Sequence, residues 1–430
     1  MPASLPDGRP SPASEGDFGS TGQPKLAIVL SGGGARGAYE AGVLSYVLDE
    51  LPKTLGRPIR FDIITGTSVG AIHACFLAAT VGAPGAGRFL AEMWRSLSIG
   101  DVYRMGVGNL LRMPLWLFGL QGSAIPLPVP NGGGDARLPG LFDTGPIEEL
   151  VTKRIAWPAI HRNIKRGAVS ALAVAATEIA TGRSVVFIDS QNGADVGWTH
   201  DPFVIALPTR IGPSHALASA AIPILFPARK IDRAFYCDGG LRLNTPLAPA
   251  LRLGADRVMV VGLRHRSTRQ EEDRAARRRE LAFMHPAYLA GKVLNALLLD
   301  RVEYDVERLR KTNEVLRKGS AEFGPEFLER INRPAAGVGQ TAYRLIDDCL
   351  ISPSRDLGDV AGECLGHRGT TSGLRNRLAD LAMRTAARGA GPDKDLLSYI
   401  FFDRCYSDHL LELGRADASA AHDKLVEFFR

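Results

Sequence analysis

The sequence is poor in cysteine and has no long apolar run. Five cysteines are scattered over 430 residues, and no two of them have C-x-x-C spacing. This scarcity argues against a zinc site or a dithiol redox motif and favours free thiols in the core. The five are Cys75, Cys237, Cys349, Cys364 and Cys405. No stretch of about 18 uninterrupted apolar residues occurs, which excludes a membrane-spanning helix.

A secretory signal is also missing. Residues 1–23 are rich in Pro, Ser and Gly and lack a basic segment followed by an apolar core, so we expect a disordered leader. The full chain is 45% hydrophobic and 23% charged, which is an ordinary globular composition. We therefore expect a cytoplasmic protein. Peripheral contact with a membrane is a further expectation. A net charge of +6 would assist transient contact with anionic lipid.

One serine stands at a predicted strand-to-helix turn. The run Gly66-Thr67-Ser68-Val69-Gly70 follows the apolar residues 61–65 and precedes the helix-like residues 71–77. A nucleophilic serine on such a turn has strained backbone geometry, which only small flanking residues such as Gly66 and Gly70 permit. The pattern predicts that Ser68 is a nucleophile; a plain turn capped by serine is the alternative.

A glycine-rich loop precedes this turn. Residues 31–39, which include Gly32 to Gly37, lie between a predicted strand over 25–30 and a helix over 37–51. Dinucleotide binding would require an acidic residue about 20 positions on, at the end of the next strand, but Asp49 and Glu50 close the helix instead. A phosphate loop would require Lys-Ser or Lys-Thr after the glycines. The loop is thus better suited to stabilising an oxyanion through backbone N–H groups, although a nucleotide-binding protein remains the alternative from another class.

A third motif lies downstream. Tyr236-Cys237-Asp238-Gly239-Gly240 follows an alternating stretch and predicts a hairpin with Asp238 at its end. Asp-Gly-Gly is a common turn signal and needs no further role. An aspartate brought to Ser68 by such a turn can nevertheless take its proton, which a serine nucleophile requires.

Together the three motifs resemble the patatin-like phospholipases, lipid acyl hydrolases with a Ser–Asp dyad, over residues 24–265. The resemblance implies Ser68 as nucleophile and Asp238 as general base. It further implies an oxyanion loop, with no metal or cofactor, formed by the backbone of Gly33, Gly34 and Ala35 with the help of Arg36, within the segment Gly32 to Gly37. Gly239 and Gly240 complete the turn after the base.

A histidine-containing triad is the rival within the hydrolases, because the serine turn is shared with α/β-hydrolases. That triad would need a histidine late in the fold, where His265 and His285 are the candidates. His265 lies in a basic run, and we interpret it as solvated. His73 is on the helix after Ser68 and is interpreted as structural, and His215 precedes Asp238.

The predicted fold is a three-layer α/β/α patatin-like domain around a mixed, mainly parallel sheet, followed by a mainly helical C-terminal extension. We expect a leader over 1–23, a catalytic domain over 24–266 and the extension over 267–430. The extension receives no catalytic role from its residues; packing, membrane docking or an oligomer contact through its helices are its expected roles. Residues 109–120 are either a lid or a buried helix.

The expected reaction is hydrolysis of a lipid or phospholipid ester through an acyl-enzyme. Transfer of the acyl group to a second alcohol on the same site is the alternative. Nucleic acid is not an expected partner.

Overall fold

The computed structural model describes residues 24–105, 140, 142–191, 204–265, 302–333, 342–367 and 395–430. The leader over 1–23 and the segment 109–120 lie outside the described residues.

A nine-stranded sheet forms the centre of the protein. The strands of the protein are β1 (Leu26–Leu30), β2 (Ile63–Thr67), β3 (Arg104–Met105), β4 (Phe142–Asp143), β5 (Ala171–Glu178), β6 (Ser184–Ser190), β7 (Val204–Pro208), β8 (Arg229–Ile231), β9 (Ala234–Asp238), β10 (Arg257–Val261) and β11 (Asp347–Ile351). Seven strands of the central sheet follow the order β11-β10-β1-β2-β5-β6-β7, while β9 pairs with β5 and β8 pairs with β9. A separate pair, β3 with β4, is antiparallel.

Helices follow most of these strands. They are α1 (Gly37–Asp49), α2 (Leu51–Leu55), α3 (Val69–Ala79), α4 (Ala86–Ser96), α5 (Ile99–Val102), α6 (Gly145–Arg154), α7 (Trp157–Lys165), α8 (Pro213–Ser219), α9 (Leu247–Arg252), α10 (Val302–Phe323), α11 (Phe327–Asn332), α12 (Leu357–His367), α13 (Asp395–Ile400), α14 (Arg404–Ala420) and α15 (His422–Phe429). No helix within the described ranges is long and apolar enough to cross a bilayer.

The central strands are buried on both faces. In β1, Ile28 and Leu30 join one apolar cluster, whereas Ala27 and Val29 join another on the opposite face. Such strands are nearly continuous apolar runs because helices cover both sides of a parallel sheet. β1, β2, β10 and β11 run parallel, and β5 pairs antiparallel with β6 and β9. The predicted mixed, mainly parallel α/β fold is therefore confirmed.

Residues of the C-terminal part enter the same sheet and core. β11 pairs in parallel with β10, a strand that the sequence analysis did not predict. Helix α14 packs closely on α1, where Gly42 meets the Leu411 carbonyl and Gly414 meets the Tyr39 carbonyl. A side chain at either glycine would collide with backbone, so this helix pair depends on two small residues.

The prediction of five free thiols was wrong for two of them. Cys364 and Cys405 form a disulfide between α12 and α14, while Cys75, Cys237 and Cys349 are free and buried. Sequence spacing gave no sign of the pair, because 41 residues separate the two cysteines and only the tertiary packing brings them together.

Candidate active site

Ser68 and Asp238 are brought together by the strand β5. Thr67, the last residue of β2, lies opposite Ala175, and Asp238, the last residue of β9, lies opposite Ala176. Two strands therefore end beside adjacent residues of one shared neighbour. The Ser68 hydroxyl donates a hydrogen bond to Asp238 Oδ2 at 2.6 Å.

The backbone at Ser68 is strained. Its φ of 54° and ψ of −126° are unusual for a residue with a side chain. A Cβ on Gly66 would collide with the Gly70 carbonyl, and one on Gly70 would lie 2.5 Å from the Leu30 carbonyl oxygen. The Ser68 N–H donates to Ser219 Oγ at 2.9 Å, which helps hold the turn. Small flanking residues are thus required by contact as well as by the turn.

Asp238 is fully enclosed, with 1% of its surface exposed. The Gly240 N–H donates to its Oδ1 at 2.7 Å, so one carboxylate oxygen has a backbone donor and the other has Ser68. A Cβ on Gly239 would collide with the Ala175 carbonyl, which explains the glycine after the aspartate. Burial raises the pKa of Asp238 to about 7, against the opposing effect of the two hydrogen bonds.

The backbone N–H groups of the glycine-rich loop differ in whether they have a backbone hydrogen-bond acceptor. The Gly32 N–H donates to the Asn244 carbonyl at 3.1 Å and is therefore already committed. By contrast, the N–H groups of Gly33, Gly34 and Ala35 have no backbone acceptor among the described residues. Gly34 has a φ of 56°, which favours glycine. Among the described residues, these three consecutive amides thus lack the backbone acceptor that the Gly32 amide has.

Arg36 is held by the C-terminal part of the chain. Its Nε donates to Ser398 Oγ at 2.8 Å, and its guanidinium lies 4.4 Å from the centre of the Tyr399 ring. The Tyr399 carbonyl also contacts the α-carbon region of Gly34, where a Cβ would collide with it. Residues of α13 therefore form the outer wall of the loop. At Gly37 the same loop enters α1, where a Cβ would lie 2.6 Å from Val69 Cγ2.

A buried polar chain supports the loop from beneath. The Ser31 N–H donates to Glu40 Oε1 at 3.0 Å, and Glu40 Oε2 lies 2.6 Å from His73 Nδ1. Trp94 Nε1–H donates to His73 Nε2 at 2.9 Å. Both ring nitrogens of His73 thus have structural partners. Burial raises the pKa of Glu40 despite its hydrogen bonds to His73 and Ser31.

No imidazole intervenes between the serine and its carboxylate. His265 Nδ1 lies 3.0 Å from the Pro353 carbonyl oxygen, and His215 Nδ1 accepts the Gly212 N–H at 3.1 Å. His285 lies outside the described residues. The direct contact between Ser68 and Asp238 favours a dyad over the histidine triad.

Sequence reasoning missed Asn244, Ser398 and Tyr399. Asn244 is buried, and its Oδ1, which has no hydrogen-bond partner among the described residues, fills the space beside Gly32 where a side chain would stand. Its position four residues after Gly240 offered a weak local signal. Ser398 and Tyr399 offered none, since they reach the loop only through the folding of the C-terminal part.

An apolar cavity opens beside Ser68. Ser68 and Gly34 line it together with residues of α3, α4, α6 and α8, and its volume is about 80 Å³. Representative walls are Ile72, Met93, Leu150, Leu217 and Phe402. Arg229 also lines it, paired with Glu148. Sites for small molecules usually hold roughly 300 Å³ or more, so a long apolar ligand would have to widen this space.

One set of possible metal ligands occurs among the described residues, namely Cys364, Cys405 and His409. None of the three residues lines the cavity beside Ser68, and the two sulfurs are bonded to each other.

A family model described as patatin-like phospholipase matches residues 28–251, just over half of the chain. The chain belongs to the patatin-like phospholipase family. The matched range runs from β1 through the glycine-rich loop, Ser68 and Asp238 into α9, so the patatin domain contains both Ser68 and Asp238.

Two individual proteins are similar to this patatin-like chain. A cGAMP-activated phospholipase of Pseudomonas aeruginosa (strain BWHPSA011 / Pa011) is 30% identical over 229 residues, which cover 53% of this chain and 56% of that protein. The match thus spans little more than half of that relative. The match to the crystal structure of VipD from Legionella pneumophila covers 93% of this chain and 74% of the VipD chain, at 14% sequence identity. Its TM-score of 0.28 is too low to support a structural inference.

Proposed function

We propose that the chain hydrolyses carboxylic esters of lipids, with Ser68 as nucleophile and Asp238 as general base. One observation carries the proposal: a buried carboxylate accepts a hydrogen bond, at 2.6 Å, from the hydroxyl of a serine on a strained turn. Family membership gives the substrate class, and the apolar cavity beside Ser68 suits an acyl chain. Phospholipase or lysophospholipase specificity is part of the proposal.

Acylation begins when Asp238 Oδ2 takes the Ser68 proton and Oγ attacks the ester carbonyl. The amides of Gly33, Gly34 and Ala35 then donate to the tetrahedral oxyanion. Asp238 returns the proton to the departing alcohol, and the acyl group stays on Ser68. A pKa of about 7 suits both steps, because a group that must accept and return a proton works best when its pKa is near the working pH.

Deacylation repeats these steps with water in place of the serine hydroxyl. Asp238 takes a proton from a water molecule as the water oxygen attacks the acyl carbon. The proton then passes to Ser68 Oγ as the fatty acid leaves. If a second alcohol enters instead of water, the product is a new ester. Transfer to such an alcohol is the second reaction open to the same site.

Lipid analysis in heavy-oxygen water tests the proposal and separates its two reactions. Phospholipid vesicles are incubated with wild type or with Ser68→Ala, with glycerol added as a competing alcohol. Hydrolysis releases fatty acid carrying one heavy oxygen, whereas transfer yields glycerol esters without it. Identical product profiles from the two proteins would refute the lipid hydrolase.

We further propose that a nucleotide-type anion regulates this hydrolase, as the name of the Pseudomonas relative says of that protein. A cavity of about 470 Å³ lies at the far end of α3, where Thr80 follows the helix that begins after Ser68. Arg57, Arg60 and Arg88 line it above buried apolar side chains. Arginine binds phosphate through paired N–H groups, and the apolar floor suits a base.

Calorimetry with cGAMP and an ester assay test this second proposal. We expect binding to wild type and a higher rate on vesicles, with both lost in Arg88→Glu. Lys153→Glu makes the same charge change at an exposed position that does not line the cavity, and it should respond like wild type. Binding that survives Arg88→Glu, or no binding to wild type, would contradict it.

A further inference from the structure

The disulfide encloses the residues that hold the oxyanion loop. Cys364 lies in α12 and Cys405 in α14, and the chain between them includes Ser398 and Tyr399. These two residues contact Arg36 through a hydrogen bond and a ring contact, and Tyr399 meets Gly34 through its carbonyl. The covalent link and the loop contacts therefore belong to one closed segment.

Further contacts tie the same segment to the cavity. Tyr103 donates its hydroxyl proton to the Ile400 carbonyl at 2.9 Å, and the Phe402 ring stacks on Trp94 with centroids 6.1 Å apart. Phe402 and Trp94 both line the cavity beside Ser68. A displacement of residues 397–402 would thus change both the oxyanion loop and the wall of the cavity.

One sulfur of the disulfide is reachable, and a histidine adjoins both. Cys364 is buried at 3% exposure, whereas Cys405 is half-buried at the start of its helix. His409 Nδ1–H donates to the Cys405 carbonyl at 2.8 Å, and the same nitrogen lies 3.6 Å from Cys364 Sγ and 3.7 Å from Cys405 Sγ. When Cys364 leaves as a thiolate, this N–H can be shared with its sulfur, which makes that sulfur a better leaving group.

We propose that Cys364–Cys405 is a thiol–disulfide exchange site that controls the hydrolase proposed above, on which this inference rests. A small thiol attacks Cys405 Sγ as thiolate, the S–S bond breaks, and Cys364 leaves as thiolate beside His409 and takes a proton. A second thiol then attacks the mixed disulfide, so that two cysteine thiols and one oxidised disulfide of the reductant result. Two electrons pass from the reductant to the protein.

Reduction removes the closure of the segment between the cysteines. In the chain-entropy account, this cross-link stabilises the fold because it restricts the unfolded chain between two cysteines that are 41 positions apart. Without it, residues 397–402 are held by noncovalent contacts, among them those with Arg36, Tyr103 and Trp94. Misplacing the donors of an oxyanion loop by about 1 Å costs on the order of a hundredfold in rate, so even partial release lowers kcat.

The test compares oxidised and dithiothreitol-treated protein by three measurements. Alkylation with mass spectrometry should count three reactive thiols in the denatured oxidised chain and five after reduction. The kcat on a soluble ester should fall about tenfold or more on reduction. Hydrogen exchange of the amides over 397–402 should rise. The variant Cys364→Ser with Cys405→Ser should match the reduced wild type and ignore dithiothreitol.

His409→Gln gives an independent arm. It keeps the disulfide and the oxidised activity, and it should slow reduction by dithiothreitol about tenfold, because the leaving thiolate loses its neighbour. Full reduction with unchanged kcat and unchanged exchange over 397–402 would overturn the proposal. Absence of any ester hydrolysis would instead refute the proposed function, while the exchange measurement would still report on the segment.

Discussion

Gly34 and Tyr399 are in backbone contact, although one belongs to the N-terminal loop and the other to the C-terminal part of the chain. The Tyr399 carbonyl occupies the space where a Gly34 side chain would stand, and the φ of 56° at Gly34 is one that glycine adopts without cost. The shape of the proposed oxyanion loop therefore depends on a contact between the N-terminal and C-terminal parts of the chain.

Gly34→Ala should lower kcat about a hundredfold, because the new methyl group displaces either the loop or Tyr399 and misaligns the oxyanion donors. Gly56→Ala is the matched control: its φ is 68°, and nothing lies within 4 Å of the added Cβ. Backbone strain should cost each variant about 1 kcal/mol of stability. Gly34→Ala should lose more in denaturant unfolding, because its Cβ also collides with the Tyr399 carbonyl. Equal rates in an ester assay of the two would refute the assigned role of the loop.

The pH dependence of kcat/KM should follow the ionisation of Asp238. Burial raises its pKa to about 7, and only the carboxylate can take the Ser68 proton. We expect the rate to rise with pH and to level off above about 7, as measured with an ester whose own ionisation is constant. Asp238→Asn should be slow at every pH. A wild-type profile already flat from pH 5 to 8 would contradict the assignment.

The raised pKa of Asp238 also makes the folded state less stable at higher pH. Its pKa is about 3.9 in an unfolded chain and about 7 in the fold, so the folded protein binds the extra proton between these values. Stability therefore falls as pH rises through that window and is constant above it. Asp238→Asn removes this term and should exceed wild type in unfolding free energy by about 2 to 4 kcal/mol at pH 8, and by less at pH 5. If the unfolding free energies of the two proteins changed with pH in the same way, the raised pKa of Asp238 would be contradicted.

Much of the patatin domain was predictable because its signals are local. A strained serine turn needs Gly66 and Gly70, and an aspartate turn needs Gly239, so sequence alone placed these residues at chain reversals. Strands such as β1 and β10 are recognisable as short apolar runs. By contrast, β11, the disulfide and the contact of Ser398 with Arg36 join residues far apart in the chain. Such pairings follow from packing, and no local pattern encodes them.

Leu150→Trp should change the preference for chain length. Leu150 lines the narrow cavity beside Ser68, so a larger ring shortens the space for an acyl chain. We expect kcat/KM for a palmitoyl ester to fall about tenfold or more, with an acetyl ester affected far less. Leu345→Trp, at an exposed position that does not line this cavity, is the control. An equal loss on both esters would mean that the acyl chain does not enter this cavity.

Labelling by a fluorophosphonate tests the central claim most directly, because the probe reacts with an activated serine and the adduct is located by mass spectrometry. We predict one adduct, on Ser68, none on Ser68→Ala, and a labelling rate for Asp238→Asn that is lower about a hundredfold or more. An adduct on another residue, or a rate for Asp238→Asn equal to that of wild type, would contradict the Ser68–Asp238 dyad.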